Sequence, residues 1–122
     1  MERPFKGKTG LKRLINAIGY SFSGLKAAFE NEDAFRQEIF LTIVLVPLAF
    51  YIAKNSLKFV LLLFSTLLVL IVELLNSAIE ATVDRISLEQ HKLAKRAKDI
   101  GSAAVFLSLV NLFAVWLVII FY

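Results

Sequence analysis

Apolar residues recur at helical spacing near the start of the chain. Leu11, Leu14, Ile15, Ile18, Phe22, Leu25 and Phe29 share one side of a helical wheel, while Lys12, Arg13, Asn16, Lys26 and Glu30 fall elsewhere. The pattern predicts an amphipathic helix over residues 10–30 that lies in a membrane interface. Within it Gly19, Ser23 and Ala27 stand four apart, a row of small residues that allows another helix to approach closely.

Further along, amphipathicity gives way to continuous apolar runs. The first, 39–53, has fifteen residues and contains Pro47, so against a hydrocarbon layer of ~30 Å its length alone leaves it between a crossing and a re-entrant segment. Charge decides that it crosses. If it did not, the seven basic residues before it and the five between the later runs would face opposite sides, against the positive-inside rule. With three crossings both clusters are cytoplasmic, and only Lys54 and Lys58 face outward. Transmembrane helices are therefore expected over 35–53, 57–86 and 100–122, the second long enough to project into the cytoplasm. The third carries no charged side chain and ends on Phe121 and Tyr122, aromatic residues suited to the outer boundary. Residues 87–99 read as a short, highly charged connection. No repeat or long linker divides the chain, so the expected fold is one all-α membrane domain, 1–122, with three transmembrane helices and an N-terminal amphipathic surface helix.

Composition agrees: 58% of residues are hydrophobic and the mean hydropathy is +0.72, too apolar for a soluble domain with a single core. The polar, basic first ten residues do not form a cleavable signal, so the N-terminus is expected to remain. Cysteine is absent, which excludes disulfides, thiolate nucleophiles and cysteine metal sites. The net charge of +4 resides on residues flanking apolar runs, as headgroup anchors do, and no nucleic-acid motif accompanies it. No nucleic-acid partner is expected.

The second apolar helix contains the chemistry. Glu73 follows fourteen uncharged residues, 59–72. Sixteen residues of helix from Leu57 place it about 24 Å along, in the cytoplasmic quarter of the hydrocarbon layer. At ~100° per residue Ser77, Glu80 and Asp84 fall within about 40° of Glu73, with Asn76 about 60° away, so the polar groups make one stripe from lipid into water. Such a stripe can be hydrogen-bonding glue between helices, and for Asn76 and Ser77 alone that reading stands beside a functional one. An ionised carboxylate in the membrane costs on the order of 3 kcal/mol, and intramembrane acids mark proton, ion or substrate sites, which favours function for Glu73. At headgroup depth a carboxylate can take the proton of a lipid hydroxyl. Glu80, about 10.5 Å further on, is placed to hold a hard cation such as Mg2+ beside a nucleotide. Asp84 with Arg85 also reads as a solvated interfacial pair.

Lys98, Asp99 and Glu32 fall on the same side by this topology. Each has a bland reading: Lys98 as headgroup anchor, Asp99 as N-cap of the third span, Glu32 as solvated loop acid. His91, the single histidine, lacks companions for a metal site. No Walker loop, glycine-rich kinase loop or Ser/His/Asp arrangement is present.

Three stretches carry a resemblance: VELLNSAIEATVDRI at 72–86, AKDIGSAAV at 97–105, and AIGYSFSGLKAAFENEDAFRQE at 17–38. Together they cover nearly the whole chain in matching order, and they resemble the bacterial integral-membrane diacylglycerol kinase family. That resemblance implies a homotrimer in the bacterial inner membrane, with its N-terminus and active site cytoplasmic. It implies transfer of the γ-phosphate of ATP, with Mg2+, to the hydroxyl of diacylglycerol to give phosphatidic acid in phospholipid recycling. By matched position Glu73 would be the catalytic base and Asn76 its support, and Glu32 and Glu80 would hold the metal. Arg13, Tyr20, Glu32, Glu80, Glu89, Gln90, His91, Lys98 and Asp99 would contact ATP. The lipid site would draw on Arg13, Ala17, Ile18, Gly19, Tyr20, Ser21, Phe22, Lys26, Ala27, Ala28 and Phe29 of the surface helix. It would also take in Ala34, Phe35, Arg36, Gln37 and Glu38, together with Glu73 and Ser102.

Gln90 stands where the family is expected to carry an aromatic residue, and Phe22 and Phe29 stand where relatives often have tryptophan. Other alcohols fit the same base: related small membrane kinases phosphorylate undecaprenol, though FRQE at 35–38 and GSAAV at 101–105 look more like the diacylglycerol branch. From another class, a small proton- or cation-coupled transporter would also use an intramembrane glutamate. A non-catalytic assembly subunit is the third reading.

Overall fold

The computed structural model describes residues 9–86 and 92–122. Four helices follow one another: α1 (Gly10–Asn31), α2 (Asp33–Ile52), α3 (Ser56–Ile86) and α4 (Lys92–Phe121). The last three are each long and apolar enough to cross a membrane, and the protein is a multi-pass membrane protein. At ~1.5 Å per residue α3 is about 46 Å long, so it exceeds a ~30 Å hydrocarbon layer by about three turns.

One boundary differs from the sequence expectation. α2 begins at Asp33, within two residues of the expected start at 35, whereas α4 begins at Lys92, inside the segment read as a connection. Hydropathy marks where lipid begins, whereas a helix continues into water wherever its backbone bonds and side-chain pairs sustain it. Lys95 supplies such a pair, with its Nζ 2.7 Å from Asp99 Oδ2 one turn on. Asp99 is consequently interior to α4 and does not cap it.

Gly10 opens α1 at φ 69°, a left-handed conformation that glycine adopts without a Cβ clash. Glu32 alone, extended at φ −119° and ψ 110°, separates α1 from α2. The joint is closed by Arg36, which donates to the carbonyls of Phe29 (2.6 Å) and Glu30 (3.0 Å) and pairs with Asp33. These bonds satisfy carbonyls that the end of α1 leaves without helical partners. Pro47 lies inside α2, where it cannot donate to the carbonyl of Ile43. At the next joint Asn55 Oδ1 accepts from the backbone N–H of Lys58 at 2.8 Å and caps α3.

Three cross-helix pairs fix an antiparallel register between α3 and α4. Thr66 meets Trp116, Asn76 meets Gly101, and Asp84 meets Lys98, so residues ascending α3 face residues descending α4. Toward one end, Ala49, Leu62, Val69, Leu112 and Trp116 form the buried apolar core, with Leu45, Ile52 and Phe59 packed around it. The opposite end, bearing Lys92 to Asp99, holds the buried polar groups Glu38, Glu73 and Asn76. The apolar row of α1 is exposed, as an interfacial helix with lipid for its solvent requires.

Candidate active site

Glu73 is 4% exposed, so a carboxylate that the sequence places at the edge of the hydrocarbon is turned into the bundle, away from bulk lipid. Its surroundings are polar. One turn along α3, Ser77 Oγ donates to Glu73 Oε2 at 3.4 Å. From α2, the Glu38 carboxyl, itself 9% exposed, comes into direct contact with Glu73. Asn76, 8% exposed, sits beside it against α4.

Asn76 fits there because α4 carries Gly101 opposite. A Cβ at Gly101 would overlap Asn76 Oδ1, so a hydrogen at that position is what lets α3 and α4 close around the amide. Oδ1 of Asn76 and Oε1 of Glu38 are both buried without a hydrogen-bond partner. Buried polar atoms left unbonded are rare in folded proteins, and here two lie beside one carboxylate.

Further toward the charged end Glu80 is half-buried. The charges that act on it are those of Glu32, Glu73, Asp84 and Lys98, so groups from the α1–α2 joint, α3 and α4 converge near its carboxylate. Glu32 makes no side-chain capping bond, although it occupies the N-cap position of α2. Its carboxylate is therefore not spent on the backbone. Glu32 and Glu80 supply hard oxygen ligands of the kind Mg2+ takes, one or two carboxylates with substrate phosphates completing the shell. No group of three His, Asp or Glu poised to hold a metal occurs among the described residues.

Lys98 reaches across to α3, its Nζ 2.6 Å from Asp84 Oδ1. Lys92, Lys95, Arg96 and Asp99 line an open groove on the exposed side of α4. Glu89, Gln90 and His91 lie outside the described residues.

The residues expected at the lipid site divide. Arg13, Ala17, Ile18, Gly19, Tyr20, Ser21, Phe22, Lys26, Ala27 and Phe29 are exposed along α1, as are Ala34, Gln37 and Ser102 on their helices. Ala28 and Phe35 are buried, and Phe35, 1% exposed, packs inside the chain. Arg36 is committed to the end of α1, and Glu38 to Glu73. Periodicity along one helix does not reveal that Glu38 touches Glu73, because the contact joins two helices. A signal was nonetheless present: like Glu73, Glu38 is an acid placed directly against an apolar run.

Three crossing helices closing around a carboxylate, with half-exposed acids and bases at its charged end, define a membrane-embedded protein with a buried acidic site open to chemistry at the lipid boundary. Residues 19–120 match the model of the prokaryotic diacylglycerol kinase family, and the chain belongs to that family. It is 56% identical over 117 residues to the diacylglycerol kinase of Pseudomonas aeruginosa, covering 96% of this chain and 95% of that one. Against the diacylglycerol kinase of Haemophilus influenzae the identity is 51%, over 93% of this chain and 97% of the relative. Against that of Escherichia coli it is 48%, over 92% of each.

Proposed function

We propose that this chain is a diacylglycerol kinase that transfers the γ-phosphate of ATP to the hydroxyl of diacylglycerol, giving phosphatidic acid for phospholipid recycling. The observation that carries the reading is the buried Glu73 carboxylate, facing into the bundle near the charged end in a chain of this family. Phosphoryl transfer depends mainly on positioning and charge neutralisation, so few catalytic groups are needed.

In this reading Glu73 accepts the proton of the lipid hydroxyl as its oxygen bonds to the γ-phosphorus. The bond from that phosphorus to the β–γ bridging oxygen breaks, and ADP leaves. Asn76 and Ser77 hold the base in place. Glu32 and Glu80 would hold Mg2+, which when bound supplies neutralisation of phosphate charge. Lys98 adds a cation at the same end, and Asp99, Arg13 and Tyr20 complete the nucleotide contacts. The exposed face of α1 guides the acceptor along the interface. The active protein is a homotrimer in the bacterial inner membrane with this end cytoplasmic, an orientation supported by the concentration of Lys and Arg there.

Purified protein with radiolabelled ATP and a panel of lipid alcohols tests the proposal. Phosphatidic acid is the expected product, and Glu73→Gln removes most turnover while leaving the protein folded. Preferential labelling of undecaprenol would reassign the acceptor. Proton-linked flux in liposomes without ATP consumption would replace the kinase by a transporter. Full activity in Glu73→Gln would remove Glu73 from the role of base.

A further inference from the structure

Glu38 and Glu73 are two acids from different helices, both buried and in direct contact. Among the described residues no cation acts on Glu38. Arg36, the basic residue nearest in sequence on α2, is turned to the carbonyls of α1. On α4, Lys98 acts on Glu80 and pairs with Asp84, and Glu73 is the charged group that acts on Glu38. Glu80 and Glu32, the next charges along this end, are themselves acidic, and Arg85, in the last turn of α3, lies about 18 Å along the helix from Glu73.

Two ionised carboxylates in contact within a water-poor bundle repel strongly, and neither can donate a hydrogen bond to the other. The geometry leaves Glu38 Oε1 buried with no bonding partner. A single proton removes both problems, turning one acid into a donor and the other into its acceptor. The surroundings say which is which. Glu73 Oε2 already accepts from Ser77, whereas the buried Glu38 Oε1 has no donor and is the oxygen that a proton would supply with a bond.

We infer that Glu38 is a positioning residue for Glu73: its carboxyl carries a proton and donates it in a hydrogen bond that fixes the Glu73 carboxylate for the acceptor hydroxyl. The inference rests on the reading of Glu73 as base. Glu38 takes no part in the transfer itself and keeps its proton throughout, so the hydroxyl proton goes to Glu73 alone. A neutral donor of the same shape therefore replaces it.

The test compares Glu38→Leu and Glu38→Gln in the full-length protein in lipid. Glu38→Leu keeps the volume without the donor and lowers kcat by about tenfold or more, as loss of a hydrogen bond to a charged group does, with KM for ATP unchanged. Glu38→Gln restores a donor and recovers most of that loss. Turnover in Glu38→Gln as low as in Glu38→Leu would overturn the inference, because the proton would then be exchanged. So would wild-type kcat in Glu38→Leu.

Infrared spectroscopy gives a readout independent of activity and of whether the leucine variant folds. A protonated carboxylic acid band is expected at neutral pH in the wild type and absent in Glu38→Gln; its absence from the wild type, or its persistence in that variant, would contradict the assignment. Glu73→Gln separates the two claims. Full turnover there removes the base, while the infrared band still reports whether Glu38 carries a proton.

Discussion

Lys98 Nζ lies 2.6 Å from Asp84 Oδ1, so an ion pair ties the charged ends of α3 and α4 together. Asp84 is exposed and Lys98 partly so, and a solvent-screened pair of this kind contributes little to stability. The pair matters more for where it holds the ammonium, because Lys98 also acts on Glu80. Asp84→Asn is expected to raise KM for ATP severalfold, with little change in kcat or melting temperature. An unchanged or lowered KM would mean that Asp84 does not present Lys98 to phosphate.

Gly101 is predicted to be intolerant of the smallest side chain. In Gly101→Ala the added methyl meets the Asn76 amide, and overpacking of this kind costs about 1–3 kcal/mol. Thermal unfolding in detergent should show the loss. Gly101→Ala combined with Asn76→Ala should recover stability without recovering turnover, since the crossing relaxes but the base loses its neighbour. Equal stability of the single variant and the wild type would show that the crossing has slack.

The metal prediction concerns Glu32 and Glu80. Glu80→Gln and Glu32→Gln should each shift the Mg2+ dependence of turnover to higher concentration, by about tenfold if one charge-assisted ligand is lost. A metal titration superimposable on that of the wild type would argue against both as ligands.

Trp116 donates its indole N–H to Thr66 Oγ1 at 3.2 Å, at the edge of the apolar core. Hydrogen bonds between membrane helices average about 0.6 kcal/mol, so Trp116→Phe should be only mildly destabilising. Trp116→Ala empties the space of a buried ring and should cost about 3–5 kcal/mol. Both are remote from the acidic cluster, so kcat in the folded fraction should hold. A large loss of kcat in Trp116→Phe would show coupling between the core and the active end.

Much of this was legible in the sequence because membrane helices obey strong one-dimensional rules. Length, hydropathy and the distribution of lysine and arginine define three spans, and an acid after fourteen uncharged residues stands out by its insertion cost. The facing of Glu73, Asn76, Ser77 and Glu80 along one helix follows from the 3.6-residue period. The extent of α4 was less legible, since hydropathy does not register the solvated turns at Lys92 to Asp99.

What only the tertiary structure decided is which residues of different helices meet. The period of one helix fixes its own stripe but not its rotation or axial shift against a neighbour, which depend on how side chains interlock. That packing brings Glu38 against Glu73, lets Asn76 into the space opposite Gly101, and pairs Asp84 with Lys98. The sequence alone determined a membrane-spanning chain with an acid at the lipid boundary; the packed bundle decided that this acid is sheltered from lipid and has a second acid as its neighbour.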